Sequence, residues 1–296
     1  MLNKLLKIGL PIFLIGVILL ISYNTYKKTL DNIENPIIVI PNNASIILQF
    51  NNIKALSRSL KLSDIWIKLQ DIKQVKNIDT HLEKISAFFS ENQNIFTSNN
   101  LIISFHKVSS NKIALLYSCN IKLDEKKKND IVSIFAEDIT TSEYDGETIF
   151  FSKSLEKYFS FKDEIFFYSS NKILITDAIR TSNENTDNLF VNKSFAESYK
   201  TINKSSDINL IFNYNNSIDF VNILTKRKIE LNQFAEWAAT DVKIKNNAIL
   251  SSGISVDNDQ IVKNFIDIFK GQKGQKLNIL EIIPYGTTHL FAISFN

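Results

Sequence analysis

The chain has 296 residues, of which 44% are apolar and 22% are charged. This balance is typical of a globular protein and argues against a chain that is disordered throughout. The formal net charge is only +3, and the lysines are interleaved with acidic residues, so the composition also argues against a nucleic-acid-binding protein. Nucleic acid is therefore not an expected partner.

The N-terminal segment carries the strongest local signal in the sequence. Residues 8–26 are 19 positions without a charge, about the length that an α-helix needs to cross a bilayer. Two lysines precede this run and two follow it. No small-residue cleavage site follows the run, so residues 1–28 are predicted to be an uncleaved signal anchor with its transmembrane helix at about 8–26.

The anchor also suggests the location and the domain boundaries. The amino terminus and the two preceding lysines favour an N-terminus on the cytoplasmic side. Residues 29–36 are predicted to be a polar linker, and residues 37–278 an extracytoplasmic domain. The protein is therefore expected to be a single-pass membrane protein whose globular domain is periplasmic or otherwise outside the cytoplasm.

The spacing of apolar residues changes from helical to strand-like along this domain. Between residues 53 and 89, apolar residues recur every three or four positions, which predicts helices with one buried face. From residue 101 onward the period is two, and Asp145-Gly146 is the strongest hairpin signal. Four segments are predicted to belong to one antiparallel sheet: 101–108, 113–121, 147–152 and 165–169.

The later part of the domain completes the fold prediction. The stretch KILITDA at 172–178 is predicted to continue the meander as a further strand. Beyond it, helical and strand patterns alternate, and a hairpin is predicted across Asn246-Asn247. Clustered strands with helices between the clusters are typical of the α+β class. We therefore predict a large antiparallel sheet with helices packed on one face, preceded by one transmembrane helix.

No local motif for catalysis, metal binding or phosphate binding is recognisable. The three histidines lack metal-ligand spacing and are expected at the surface or at strand flanks, and seven glycines are too few for phosphate-binding loops to be expected. Glu143, Asp145 and Glu147 surround a tight turn, where carboxylates are normally solvated. Cys119 is expected to be a small core residue. No catalytic, metal-binding or cofactor-binding residue is predicted.

The C-terminal segment resembles the start of the domain. EIIPYGTTHLFAISFN at 281–296 shares with VIPNNASIILQFN at 39–51 an Ile-Pro pair, turn-forming residues and a strand pattern. We predict that residues 279–296 begin a second repeat unit, and that the chain is the N-terminal portion of a longer ancestral or parental protein. The alternative is that residues 290–295 form the closing strand of a single complete domain.

Several segments together resemble a known group of proteins. These segments are IPNNASIILQFNN after the anchor, WIKL, WAATDVKIKNNAILSSGISV and FKGQKGQKLNILEIIPYGTTHLFAISF. They resemble uncharacterised envelope proteins of the Bacteroidota that carry a domain of unknown function. The resemblance implies an envelope location and a longer architecture with a second unit, and it implies no catalytic residues.

These observations lead to one functional expectation and two alternatives. The protein is expected to be a non-enzymatic, membrane-anchored envelope protein with a binding or scaffolding role, and other envelope proteins are its candidate partners. One alternative is an extracytoplasmic hydrolase with a dispersed site, for which His106 is the first residue to test. The other is a carrier of a hydrophobic ligand, which the 22 phenylalanines permit and which a deep apolar cavity would favour.

Overall fold

The computed structural model describes residues 35–96, 98–110, 112–122, 125–135, 138–184, 188–225, 234–257, 265–269, 271–273 and 283–287. The predicted anchor at 8–26 lies outside these residues, as does most of the predicted second unit at 279–296. No helix within the described ranges combines the length and the hydropathy that crossing a bilayer requires.

Ten strands form one sheet, and each strand pairs antiparallel with its neighbours. The order across the sheet is β10-β9-β8-β1-β2-β3-β7-β6-β5-β4. The strands are β1 (Ala44–Phe50), β2 (Leu101–Ser109), β3 (Lys112–Asn120), β4 (Ile139–Tyr144), β5 (Glu147–Ser152), β6 (Lys157–Lys162), β7 (Ile165–Ser169), β8 (Ile208–Asn213), β9 (Trp237–Ile244) and β10 (Ile249–Val256).

The four strands predicted for the antiparallel sheet are confirmed. They correspond to β2, β3, β5 and β7, and β3 pairs with both β2 and β7. The predicted turn between β4 and β5 also forms, with Asp145 at φ 49° and Gly146 at φ 79°. Two successive residues with positive φ are the geometry of a type I′ turn, which matches the twist of the strands that it joins.

Seven α-helices accompany the sheet in the described residues. They are α1 (Ile53–Lys61), α2 (Asp64–Leu69), α3 (Lys73–Glu91), α4 (Glu125–Phe135), α5 (Lys172–Asn183), α6 (Lys193–Tyr199) and α7 (Tyr214–Thr225). Short 3₁₀ helices lie at Pro36–Val39, Leu189–Val191 and Phe265–Phe269. The molecule is therefore an α+β protein built around one large antiparallel sheet, as predicted.

The helices cover both faces of the sheet, so the prediction of helices on one face is wrong. Ile102 and Ile103 are adjacent in β2, and they belong to two different buried apolar clusters. Adjacent strand residues point to opposite faces, so each cluster lies on its own face. Residues of α5 and α6 complete the first cluster, here called the α5-face core. Residues of α1, α3 and α4 complete the second, the α3-face core.

The stretch KILITDA at 172–178 is helical, so its prediction as a strand is wrong. It forms the first part of α5, whose buried residues include four apolar ones at helical spacing: Leu174, Ile175, Ala178 and Ile179. The side chain of Asn171 accepts a hydrogen bond from the backbone nitrogen of Ile173 at 2.8 Å. Asn171 is therefore the N-cap of a helix, and the apolar residues after it pack into the α5-face core.

The described chain enters the fold through Asn35 and Pro36, at the end of the segment assigned to the linker. The Asn35 amide donates a hydrogen bond to the hydroxyl of Tyr199 at 2.7 Å. Its side-chain oxygen accepts from the backbone nitrogen of Ile37 at 3.2 Å, which caps the first 3₁₀ helix. Pro36 itself is buried. Both residues therefore pack with the domain.

Polar contacts hold α3 against the two short helices that precede it. The indole nitrogen of Trp66 donates to a carboxylate oxygen of Asp79 at 2.8 Å, and the amide of Gln70 donates to the other oxygen at 2.9 Å. At the surface, the Lys61 ammonium lies 2.8 Å from Glu83. These contacts position the N-terminal half of α3, and its second half extends over the sheet.

Candidate functional site

An apolar cavity lies between the second half of α3 and the strands beneath it. Its volume is about 280 Å³, close to the lower end of the ~300–1,000 Å³ typical of small-molecule sites. Helix α3, strands β2, β3, β6 and β7 and the turn between β5 and β6 all contribute to its wall. The lining residues are Lys84, Ile85, Phe88, Phe89, Phe96, Leu101, Cys119, Leu155, Lys157, Phe166 and Tyr168.

Three phenylalanines form one wall of this cavity. The rings of Phe89 and Phe96 are stacked with their centroids 4.3 Å apart. The ring of Phe88 meets that of Phe96 edge-on at 5.6 Å. Aromatic pairs in these arrangements add about 0.5–1.5 kcal/mol beyond the burial of their area, so this wall is held in place by its own contacts.

The strand side of the cavity carries two titratable groups that stay neutral. Burial raises the pKa of the Cys119 thiol to about 12. The pKa of Tyr168 is raised well above its usual value by burial and, secondarily, by Tyr117 and Cys119. A thiol of such high pKa is a poor nucleophile at neutral pH. This part of the wall is therefore uncharged, which suits contact with an apolar ligand.

The charged residues of the lining are two lysines. Lys84 is exposed on α3, one turn before Phe88, and Lys157 is half-buried in β6. Leu155, in the turn before β6, is 49% exposed. Since lysine stems pack on apolar surface while their ammonium groups stay in water, the two lysines mark the solvent side of the cavity.

Two other cavities differ from this one in their chemistry. The first, of about 270 Å³, is lined by residues of α4, β5 and β6. Its lining carries one cation, Lys128, which lies 5.9 Å from the ring centre of Phe161, and one carboxylate, Glu147, which lies 3.1 Å from Lys162 outside the lining. The second, of about 360 Å³, has asparagines at four of its seven lining positions. The cavity under α3 is thus distinguished by its apolar wall.

His106 is buried, so its predicted place at the surface or at a strand flank is wrong. Its Nε2 lies 2.8 Å from the hydroxyl of Ser104, and its Nδ1 lies 2.7 Å from the side-chain oxygen of Asn43. Because the Asn43 oxygen is only an acceptor, Nδ1 donates to it and Nε2 accepts from Ser104. Burial lowers the pKa of His106 to about 3.

This Ser-His-Asn arrangement has the connectivity of a nucleophile, a base and an orienting group, but not their accessibility. Ser104 and His106 each have 0% of their surface exposed, so a substrate does not reach them in this structure. A base with a pKa of about 3 is also a weak proton acceptor at neutral pH. The network instead ties the turn before β1 to the middle of β2.

The remaining polar candidates are not brought together. His81 is exposed on α3, and His289 lies outside the described residues. Asp145 and Glu143 are exposed around their hairpin, while Glu147 pairs with Lys162. Across the described part of the chain, no three side chains of His, Cys, Asp or Glu form a group that would hold a metal ion.

The cavity residues were seen in the sequence only as parts of helix and strand patterns. Ile85 and Phe89 belong to the predicted apolar face of the helix, and Cys119 was predicted to be a core residue. That prediction is confirmed, since Cys119 is free and buried. The spacing of apolar residues within any one segment did not indicate a cavity, because the wall is assembled from separate residues that are spread between positions 84 and 168. The abundance of phenylalanine was the one available signal.

Comparison with known proteins gives little further information. No protein-family model and no curated protein matches the chain. Among solved structures, crystal form III of TP0453 has a TM-score of 0.41 and 13% identity, covering 82% of this chain and 90% of that one. Crystal form I gives a TM-score of 0.39 and 14% identity, covering 81% and 85%. Likenesses this distant support no inference about the protein.

Proposed function

We propose that this protein is a non-enzymatic, membrane-anchored envelope protein that binds a small hydrophobic ligand in the cavity under α3. The observation that carries the proposal is the apolar wall of that cavity, in which nine of the eleven lining residues are apolar or aromatic. A concave, mostly apolar site with few polar groups is the usual form of a small-molecule site.

Binding in this cavity has a clear driving force. Each CH₂ group moved from water into apolar surroundings contributes about 0.8 kcal/mol. The stacked phenylalanines and the neutral Cys119 thiol offer such surroundings. An aliphatic or aromatic ligand would replace water that makes few hydrogen bonds with this wall. The neutral groups in the wall also support the binding of an apolar ligand.

A polarity change in the cavity wall tests this function. Wild-type protein is expected to bind the neutral probe N-phenylnaphthylamine saturably, with an increase in its fluorescence. Ile85→Gln is expected to weaken binding about tenfold, because it places an amide against the apolar ligand. The control is Ile78→Gln on the same helix, since Ile78 is 51% exposed and lies outside the lining.

Two outcomes of this titration would contradict the proposed function. One is the absence of saturable binding to the wild-type protein. The other is an equal affinity in Ile85→Gln and Ile78→Gln, which would place the probe elsewhere on the molecule. Thermal unfolding of both variants shows whether each is folded at the temperature of the titration.

The membrane attachment is proposed from the sequence of residues 8–26. We expect the full chain to remain in membranes after an alkaline carbonate wash, because this uncharged run is long enough to span the bilayer. A chain that lacks residues 1–28 is expected in the supernatant. Release of the full chain by the wash, or a mature N-terminus beyond residue 23, would contradict an uncleaved anchor.

A further inference from the structure

We propose that the ligand of the cavity under α3 is a single-chain aliphatic carboxylate, with Lys84 and Lys157 recognising its anionic group. This inference rests on the proposed binding function and adds the chemical class of the ligand. It goes beyond an apolar fit, because an uncharged hydrophobic ligand would make no use of the two lysines.

The charge of the lining has one sign. Lys84 and Lys157 are its only ionisable residues besides Cys119 and Tyr168, and it contains no carboxylate. Neither lysine forms an ion pair with another residue of the described chain. The cavity therefore combines an apolar wall with two uncompensated positive charges, and the complementary ligand is an amphiphile with a negative head.

The two lysines approach the cavity from different elements. Lys84 comes from α3 and Lys157 from β6, so the helix and the sheet each contribute one cation. Lys84 is exposed, and Lys157 is half-buried. Lysine stems commonly pack on apolar surface while the ammonium groups stay in water. An anionic head at the solvent side would thus lie near both cations while its chain enters the cavity.

The wall beneath the lysines does not suit a charged group. The Cys119 thiol and the Tyr168 phenol are both neutral, and burial disfavours their charged forms. Phe89 and Phe166, which are almost completely buried, add apolar surface to the same wall. The chain of the ligand therefore belongs inside the cavity, and its head belongs at the lysines.

The volume limits the size of the chain. A cavity of about 280 Å³ is near the small end of the ~300–1,000 Å³ range of ligand sites. It suits one aliphatic chain of medium length and is small for a lipid with two long chains. Decanoate is the matching probe, and decanol and decylamine have the same chain with a neutral and a cationic head.

Calorimetric titration with these three probes, below their micellar concentrations, tests the inference. We expect wild-type protein to bind decanoate about tenfold more tightly than decanol, because two partly exposed cations attract the carboxylate. We expect it to bind decylamine more weakly than decanol, because the same cations repel the ammonium group. The double variant Lys84→Gln/Lys157→Gln is expected to bind decanoate and decanol equally. The control variant Lys76→Gln/Lys112→Gln removes two exposed lysines outside the lining and is expected to keep the preference.

The outcomes separate this inference from the proposed function. Equal affinity of wild-type protein for decanoate and decanol would overturn the role of the lysines while leaving hydrophobic binding intact. The same conclusion would follow if the Lys84→Gln/Lys157→Gln variant kept its preference for decanoate. Failure of all three probes and of N-phenylnaphthylamine to bind would overturn the proposed function itself. We expect the double variant to keep its binding of N-phenylnaphthylamine, which would show that its cavity is intact.

Discussion

Acidification from pH 7 to pH 4 is expected to lower the free energy of unfolding of the wild-type protein by about 3 kcal/mol more than that of His106→Gln. The pKa of His106 is about 3 in the folded protein, whereas the ordinary pKa of a histidine, which applies to the unfolded chain, is 6.5. The unfolded chain therefore binds a proton in this range and the folded chain does not. The stability from neutral His106 is complete above pH 6.5 and is lost as the pH falls toward 3.

Urea denaturation at several pH values measures this difference. The carboxylates contribute a pH dependence of their own, which wild-type protein and the variants share. His81→Gln is the control, because His81 is exposed on α3. We expect this control to follow the wild-type curve. An equal loss of stability in wild-type protein and His106→Gln would contradict a neutral, buried His106 within the Ser104–Asn43 network.

The second large effect is expected for Phe159→Ala, which should cost about 3–5 kcal/mol of stability. Phe159 has 0% of its surface exposed and lies in the α3-face core. Its ring is stacked on Phe150 at 5.1 Å and lies 5.9 Å from the ring of Phe166, which lines the cavity. Removal of the ring leaves a void that rigid strands on both sides fill only partly.

Chemical denaturation of Phe159→Ala beside Phe190→Ala tests this expectation. Phe190 is 39% exposed, so its truncation is expected to cost less than about half as much. Because Phe159 supports Phe166, the affinity for N-phenylnaphthylamine should also fall in Phe159→Ala. A destabilisation of Phe159→Ala no greater than that of Phe190→Ala would contradict the packing of the α3-face core.

The sequence predicted the sheet because its main signals are local. Asp145-Gly146 tolerates the positive φ angles of a tight turn, and the strands on either side then pair without further information. Helices on both faces of the sheet were not predicted, although the sequence of β2 indicates burial on both faces. Leu101, Ile102 and Ile103 are consecutive apolar residues, and such a run indicates a strand that is buried on both faces.

Helix α5 shows where a short apolar run is ambiguous. Ile173, Leu174 and Ile175 are compatible with a strand, and Ser170-Asn171 resembles a hairpin turn. Asn171 caps the helix locally, and tertiary packing completes the choice because the residues after it reach the α5-face core. Local propensity does not contain that packing information.

The cavity and the His106 network depend on contacts between distant parts of the chain. Asn43 and His106 are 63 positions apart, and the cavity joins α3 to β7. Periodicity shows which residues are buried, and it does not show where a helix leaves space above a sheet. The pKa of His106 likewise follows from burial by residues that are distant in the sequence.

The central claim is that the cavity under α3 binds a ligand, and methyl NMR during a decanoate titration tests it most directly. We expect the methyl signals of Ile85, Leu101 and Leu155 to shift together and to saturate, since these residues line the cavity. The signal of Ile78, on the same helix and outside the lining, is expected to stay in place. Unchanged signals from all three lining residues at high decanoate concentration would contradict the account.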